Sequence, residues 1–191
     1  MRTVKEPDVR KQEILEGAIR VFAKYGYDKT TMTTLSRELH ISQGLCYRYF
    51  PSKEDIYHAA IEKYADLILE EYLQHHQKSK PIREQIDNIS GSIARLMEAE
   101  TKDEGLYALF HSHTGKYLHN ELLLAVAAKI LPYLQTTLRN AKNSGEITIS
   151  NPEQTAVIGL YGELGLFFTG ELTNEERNAA IRTGWERLLG L

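Results

Sequence analysis

The sequence predicts an all-α fold, in which a small three-helix head precedes a larger helical body. Apolar residues recur every three or four positions through most of the chain, which is the spacing of amphipathic helices. Capping residues, glycines and prolines fall between these periodic segments and predict where each helix starts and stops. The stretch with strand character, residues 146–152, is too short and isolated to form a sheet. The length of 191 residues allows one domain or two small ones.

The head is predicted to span residues 1–53 and to hold three helices. The apolar face of the first helix is formed by Ile14, Ala18, Val21, Phe22 and Tyr25. Gly26 ends that helix, because a residue without a Cβ easily adopts the conformation of a helix C-terminus. Thr31 and Ser42 carry hydroxyls that cap the starts of the second and third helices, and Pro51 ends the third.

The body is predicted to span residues 54–191. The helix that leads into it is capped by Ser52, which pairs with Asp55 as in a capping box, and continues to about Gln77. Further periodic segments cover residues 82–99, 104–112, 120–143, 153–169 and 174–189. Pro132 lies inside the third of these and predicts a kink or break. Thr173 and the residue three positions later, Glu176, predict a capping box for the last helix.

The overall composition places the chain among ordinary globular proteins, with 42% hydrophobic and 26% charged residues. One cysteine excludes an internal disulfide framework and a cysteine-rich zinc module. No apolar run approaches the roughly 18 residues of a membrane span, and the N-terminal segment lacks the apolar region of a signal peptide. We therefore expect a cytoplasmic protein without a membrane partner.

The net charge of −3 combines two opposite parts. Residues 1–53 carry ten Lys and Arg against six Asp and Glu, which gives +4. Residues 54–191 carry thirteen Lys and Arg against twenty Asp and Glu, which gives −7. A basic head on an acidic body indicates an anionic partner at the N-terminal end, although an excess of this size also arises by chance.

The segment from Thr31 to Lys53 has the layout of a helix-turn-helix. Two short helices are joined by a tight corner at residues 39–42, and another helix starts directly after the second. In this motif the second helix enters the major groove of DNA with its N-terminus first. Apolar residues that can hold the corner against the first helix are Leu35, Leu39, Ile41, Leu45 and Phe50. Polar residues remain for the outer face, so the sequence predicts binding to double-stranded DNA.

This stretch resembles the TetR family of bacterial transcriptional regulators. The matching residues are Ile14, Ala18, Phe22-Ala23, Gly26-Tyr27, Thr30-Thr31-Met32, Leu35-Ser36, Ile41-Ser42, Gly44, Tyr47, Tyr49-Phe50, Ser52-Lys53-Glu54 and Ile56. The rest of the chain matches the family only in being helical, of similar length and ending in two helices. The resemblance implies a homodimeric regulator, expected to be a repressor that a small-molecule effector releases from a near-palindromic operator.

The resemblance assigns DNA contacts to the two helices of the motif and the start of the next. The predicted DNA-binding residues are Thr31, Thr33, Thr34, Ser42, Gln43, Gly44, Leu45, Tyr47, Arg48, Tyr49 and Lys53. Gln43 suits hydrogen bonds to adenine N6 and N7, or it is a solvated surface glutamine. Tyr47 suits a phosphate contact, or it packs under the corner. Lys53 lies where a phosphate would meet both an ammonium and the free N–H groups of a helix start.

Two positions depart from the family pattern. Leu39-His40 stands where an alanine-glycine pair is usual, and histidine is among the residues that tolerate a positive φ. Leu45-Cys46 replaces the commoner Thr-Leu or Ser-Leu, so Leu45 is expected to contact a thymine methyl group rather than to hydrogen-bond. Cys46 is interpreted as a small apolar residue of the corner rather than a redox sensor, since the chain has no second cysteine.

The last two helices are predicted to form a dimer interface, as they do in the family. Three glycines at i+3 spacing in the first of them indicate a groove that another helix backbone can approach. The predicted interface residues are Gly159, Gly162, Gly165, Phe168, Ile181, Trp185 and Leu188. The alternative is that these residues form only an intrachain core.

A mixed apolar and polar set in the body predicts an effector pocket. Its candidate residues are Leu96, Met97, Leu106, Tyr107, Phe110, His111, Tyr117 and Tyr133, although each of them alone also suits core packing. His111, His113 and His119 raise a metal site as an alternative, but residues at i and i+2 do not share a helix face. We therefore expect no metal and no cofactor, only an unknown small-molecule effector.

An enzyme is not predicted, because the sequence shows no nucleophile-base pair, phosphate-binding glycine loop or metal-ligand spacing. A second function class retains the DNA-binding head. In that alternative the chain is an architectural or division-linked DNA-binding protein, whose body docks another protein and senses no small molecule.

Overall fold

A computed structural model of the chain describes residues 6–75, 80–86, 116–168 and 172–191. The regular structure within these ranges is helical, which confirms the all-α prediction. Its helices are α1 (Pro7–Tyr25), α2 (Met32–Glu38), α3 (Gln43–Tyr49), α4 (Lys53–His75), α5 (Lys116–Asn143), α6 (Pro152–Phe168) and α7 (Asn174–Leu189). Residues 82–86 are also helical. The predicted segment 104–112 and most of 82–99 lie outside the described ranges.

The predicted helix starts are confirmed by their capping hydrogen bonds. The Thr31 hydroxyl accepts from the Thr34 backbone N–H at 3.1 Å, and the Ser42 hydroxyl accepts from that of Leu45 at 3.2 Å. Thr173 and Glu176 form the complete capping box at the start of α7. These bonds satisfy backbone donors that a helix start otherwise leaves unpaired, so they fix the first residue of each helix.

The head is held together by one apolar core beneath the helix-turn-helix. Its fully buried members come from α1 to α4 and include Ala18, Phe22, Leu35, Cys46, Phe50 and Ile56. The rings of Phe22 and Tyr27 lie 5.3 Å apart, and those of Tyr27 and Tyr57 lie 5.0 Å apart. This aromatic chain links α1 to α4 and fixes the platform on which α2 and α3 sit.

Helix α5 runs through Pro132, so the expected break there is wrong. Proline costs one backbone hydrogen bond inside a helix, and burial of an apolar face along the same helix offsets that cost. The buried residues of this face are Leu122, Val126, Ile130, Leu134 and Leu138. By length and composition alone the stretch Asn120–Asn143 would suit a membrane span, but its buried face identifies it as a core helix of the body.

The chain divides into two compact units, with boundaries inside α4 and α5. One unit contains α1, α2, α3, α4 up to Tyr64 and α5 up to Leu122. The second contains the remainder of α4 and α5 together with α6 and α7. The predicted functional boundary after Lys53 is a different division and stays a prediction.

Candidate nucleic-acid interface

The outer face of α3 is the candidate surface for reading DNA. Gln43, Gly44, Tyr47 and Arg48 are exposed, and Ser42 is exposed at the N-cap. Leu45 and Tyr49 are half-buried, with part of each side chain on the surface. The Tyr47 side chain is 46% exposed, which excludes the alternative that it packs under the corner.

Helix α2 adds a row of hydroxyls beside the N-terminus of α3. Gln43 Nε2 donates to Thr33 Oγ1 at 3.1 Å, so the side chains that begin the two helices are joined. Thr31 Oγ1 and Thr34 Oγ1 lie 3.1 Å apart and share a hydrogen bond. Thr31 therefore both caps α2 and belongs to an exposed hydroxyl pair that an incoming phosphate oxygen can accept from.

The hydrogen bond to Thr33 orients the Gln43 carboxamide but engages only one of its hydrogen-bonding groups. A carboxamide has two N–H donors and one carbonyl acceptor. One donor goes to Thr33, which leaves a second N–H and the carbonyl oxygen on an exposed side chain at the front of α3. This is the pair of groups that adenine N7 and N6 require.

Lys53 starts α4 and is held in place by Tyr27. Its Nζ donates to the Tyr27 carbonyl oxygen at 3.0 Å and lies 4.1 Å from the centre of the Tyr27 ring. The ammonium has three donors, so this arrangement fixes the charge at the helix start and leaves donors for a phosphate. Burial and the neighbouring Glu54 carboxylate raise the pKa of Tyr27 to about 12.

The corner between α2 and α3 adopts the strained geometry that its sequence predicts. His40 has φ 52°, the one positive φ at a non-glycine residue within the described ranges. The turn closes when the Ile41 backbone N–H donates to the Ser36 carbonyl oxygen at 3.0 Å. Gly17 on α1 gives Leu39 room to enter the core, because a Cβ at that position would overlap the Leu39 side chain.

Cys46 lies on the inner side of α3 and is fully buried. Burial raises the pKa of its thiol, which disfavours the reactive thiolate. The geometry therefore favours the interpretation of Cys46 as a packing residue of the corner.

The residues predicted for the dimer interface fall into two groups. Gly159, Ile181 and Trp185 are buried within the chain, and a Cβ at Gly159 would overlap the indole of Trp185. Gly162 and Gly165 have open space where a Cβ would lie, and Phe168 and Leu188 are exposed apolar side chains. Only the second group presents surface to another molecule. Exposed neighbours that the sequence reasoning missed are Val157, Ile158 and Tyr161.

Most of the predicted effector residues lie outside the described ranges, and Tyr133 is the one whose side chain the structure describes. Those without described side chains are Leu96, Met97, Leu106, Tyr107, Phe110, His111 and Tyr117. Tyr133 lines a cleft of about 620 Å³ beside residues 80–85. Within the described ranges no three metal-ligating side chains come together.

Sequence reasoning also missed a buried acid on α6. Glu163 is 3% exposed, and its Oε2 accepts from Trp185 Nε1 at 3.3 Å. Its Oε1 has no hydrogen-bond partner among the described residues. Burial raises the pKa of Glu163 to about 8. A glutamate in an otherwise apolar helix segment with three glycines was the available signal.

Comparison with known proteins places the head in a family and the whole chain in a fold. Residues 14–60 match the model of the bacterial regulatory proteins of the tetR family. The regulator YhgD of Bacillus subtilis (strain 168), of the helix-turn-helix type, is 24% identical over 164 residues, which are 85% of this chain and 84% of that protein. The nucleoid occlusion factor SlmA of Glaesserella parasuis serovar 5 (strain SH0165) is 28% identical over 140 residues, 73% of this chain and 66% of that protein.

Solved structures share the architecture along nearly the whole chain. Salmonella enterica GusR superposes with a TM-score of 0.65 at 22% identity. The superposition covers 98% of this chain and 99% of the GusR chain. RolR in complex with the ligand resorcinol superposes with a TM-score of 0.66 at 16% identity. The superposition covers 96% of this chain and 89% of the RolR chain. At these identities the superpositions establish the fold.

Proposed function

Because the chain belongs to the TetR family of bacterial regulatory proteins and is a DNA-binding transcriptional regulator, we propose that it is a homodimeric repressor. In this proposal it acts in the cytoplasm, binds a near-palindromic operator and leaves it when a small molecule binds the body. The observation that carries the proposal is the exposed face of α3, whose N-terminal Gln43 is oriented by Thr33.

The proposed DNA contacts divide into base reading and phosphate binding. Gln43 reads a base edge, and Leu45 is near enough to the same face to contact a thymine methyl group. The phosphate-binding set is Thr31, Thr33, Thr34, Ser42, Tyr47, Arg48, Tyr49 and Lys53. Gly44 has no side chain, and the space where its Cβ would lie is open and belongs to the surface proposed to face DNA. In this proposal the DNA backbone comes close to α3 at this glycine.

Mobility shifts with DNA fragments upstream of the chain's own gene test this division. Wild-type protein is expected to shift one fragment in excess unlabelled competitor DNA. Gln43→Ala is expected to cost about 1–3 kcal/mol and to relax preference at one base pair, whereas Tyr47→Phe weakens all sequences alike. Gln154→Ala, an exposed glutamine on α6, is the matched control and leaves binding unchanged. Binding that ignores sequence and falls uniformly with salt contradicts the proposal.

The proposed dimer uses the exposed apolar surface of α6 and α7. A groove of about 320 Å³ runs between these helices and is lined by glycines and exposed apolar residues, among them Ile158, Gly162, Gly184 and Leu188. A two-fold pairing of this surface buries the same residues on both copies and sets two heads at the spacing of successive major grooves. Trp185 supports the surface from inside the chain.

A second candidate function is favoured by the similarity to the nucleoid occlusion factor. In that candidate the head binds DNA and the body docks another protein instead of a small molecule. A thermal-shift screen of small molecules separates the two candidates, because a ligand that binds only the folded protein raises its melting temperature. Stabilisation by a small molecule that also releases DNA favours the repressor. A screen without stabilising compounds, together with retained DNA binding, favours the docking protein.

A further inference from the structure

The cleft that contains Tyr133 has the size and the lining of a ligand site. Its volume of about 620 Å³ lies within the roughly 300–1,000 Å³ typical of small-molecule sites. One wall is a single face of α5, formed by Tyr133, Thr136, Thr137, Asn140 and Ala141, and Ser144 extends it in the turn directly after the helix. These residues follow the i, i+3, i+4, i+7, i+8, i+11 spacing of one helix face. The opposite wall is formed by Lys80, Pro81 and Gln85.

Gln85 supplies a buried hydrogen-bond acceptor in this cleft. Its side chain is 6% exposed, and its Nε2 donates to the Lys80 carbonyl oxygen. Its Oε1 has no partner among the described residues. An unpaired buried carbonyl oxygen is unfavourable, because it has lost its hydrogen bonds to water without replacing them, so a donor from a ligand would gain more here than at an exposed site.

The charged groups of the cleft are already engaged by the protein. Glu146 Oε2 accepts from the Ile82 backbone N–H at 2.8 Å, and its Oε1 accepts from Ser144 Oγ at 3.0 Å. Lys80 Nζ lies 3.4 Å from Glu84 Oε2. Both charged groups of the lining are therefore engaged by protein groups, so the cleft offers neither an unengaged carboxylate to a cationic ligand nor an unengaged ammonium to an anionic one.

The groups that remain for a ligand are the two carboxamides, the Thr136 hydroxyl and one aromatic ring. Asn140 offers two donors and one acceptor, and the Thr136 hydroxyl, which donates to the Pro132 carbonyl oxygen at 2.9 Å, retains lone pairs that accept. Tyr133 with Pro81 adds apolar surface. A molecule that alternates hydroxyl groups with C–H faces satisfies both kinds of lining.

We propose that this cleft binds a neutral, polyhydroxylated small molecule with the chemistry of a free sugar, and that Gln85 and Asn140 hydrogen-bond its hydroxyls. The inference names the effector class and to that extent rests on the proposed function. Binding at the cleft itself is measurable without DNA.

Isothermal titration of the full-length chain without DNA tests the inference directly. The probes are D-glucose, maltose and myo-inositol, with gluconate and glucosamine as charged relatives. At least one neutral probe is expected to bind with one site per chain and to raise the melting temperature, while both charged probes bind about tenfold more weakly or not at all. Absence of heat from all three neutral probes at millimolar concentration overturns the inference.

Two variants locate the site. Asn140→Leu is expected to weaken the binding of the neutral probe by about tenfold or more, because it removes three hydrogen-bonding positions from the cleft wall. Asn143→Leu places the same substitution on an exposed residue of the same helix outside the cleft, and leaves binding unchanged. Equal binding by the Asn140 variant overturns the assignment to this cleft. An operator shift with no sugar binding would keep the DNA-binding proposal and reject this inference alone.

Discussion

His40 determines the backbone conformation at the corner of the helix-turn-helix. Its φ of 52° lies in the left-handed region, where a side chain with a Cβ is strained. The substitution of Leu39-His40 for the usual alanine-glycine pair predicted this conformation from the sequence. The turn therefore keeps its shape and carries a local cost.

Substitution at His40 is expected to change stability in opposite directions. His40→Gly removes the strain and gains up to about 1 kcal/mol, after the extra entropy of the unfolded chain is counted. His40→Val places a β-branched residue at a positive φ and loses about 1–3 kcal/mol. Urea denaturation of the two variants measures the difference, and a valine variant as stable as the wild type would contradict the assignment of strain.

Glu163 is expected to make stability depend on pH. Burial raises its folded-state pKa to about 8, whereas an unfolded glutamate ionises near the ordinary glutamate pKa of 4.5. Between these values the folded chain holds a proton that the unfolded chain has lost, so stability falls as pH rises, by up to about 1.4 kcal/mol per pH unit. Below the unfolded pKa the penalty disappears, and above about 8 it stops growing.

Glu163→Gln isolates this effect, because glutamine still accepts from Trp185 and does not ionise. Urea denaturation of both proteins at several pH values between about 5 and 8 is expected to show the variant gaining relative stability as pH rises. Parallel curves for the two proteins would show that Glu163 ionises normally. The sequence marked this acid only as a glutamate in an otherwise apolar, glycine-rich helix segment, and its burial could not be predicted because it depends on α7 packing over α6.

At the scale of elements, helix starts could be predicted and packing partners could not. A cap is a bond between residues three positions apart, so Thr31, Ser42 and Thr173 revealed their helices directly. The break predicted at Pro132 is wrong, because burial of the apolar face of α5 stabilises the helix by more than the loss of one backbone hydrogen bond destabilises it. The glycines of α6 were recognised as packing positions, but their different partners depend on where α7 lies.

Gly159 and Gly44 are expected to respond differently to a single methyl group. Gly159→Ala pushes a Cβ into the Trp185 ring and costs about 1–3 kcal/mol, despite the better helix propensity of alanine. Gly44→Ala meets no neighbouring atom and gains up to about 1 kcal/mol in the free protein. Thermal unfolding separates the two, and unfolding at the same temperature for both variants would contradict the packing.

The same Gly44→Ala variant separates stability from function. The added methyl group lies on the exposed face of α3, so DNA affinity is expected to fall while stability rises. Anisotropy titration with labelled operator measures the loss. Undiminished affinity would place the DNA backbone farther from this part of α3.

At the scale of the whole molecule, the basic head and acidic body predict that DNA binding and the remaining functions fall to different parts of the chain, and this division stays a prediction. The head could be interpreted residue by residue because its motif is local and dense. The body could not, because an interface or cleft depends on which side chains several helices expose together. Tyr133 was identified as an effector candidate, but Gln85 and Asn140 were not, since only the folded chain brings their segments together.

Dimerisation through α6 and α7 is expected to fail when a charge enters the exposed apolar surface. Ile158 is 61% exposed, and Ile158→Glu would bury two like charges at a two-fold interface. Size-exclusion chromatography with light scattering is expected to show a monomer with much weaker operator binding. Leu124→Glu, at a 44% exposed position on α5, is the control and remains a dimer. A dimeric Ile158 variant would move the interface elsewhere.

Selection of bound duplexes from a random DNA library tests the central claim, that α3 reads a specific sequence, most directly. Wild-type protein is expected to enrich a near-palindrome whose half-sites are centred about one helical turn, or a multiple of it, apart. Gln43→Ala is expected to enrich the same palindrome with one symmetry-related base pair in each half-site no longer specified. Failure of the wild type to enrich any sequence, or an unchanged motif from the variant, would contradict the account.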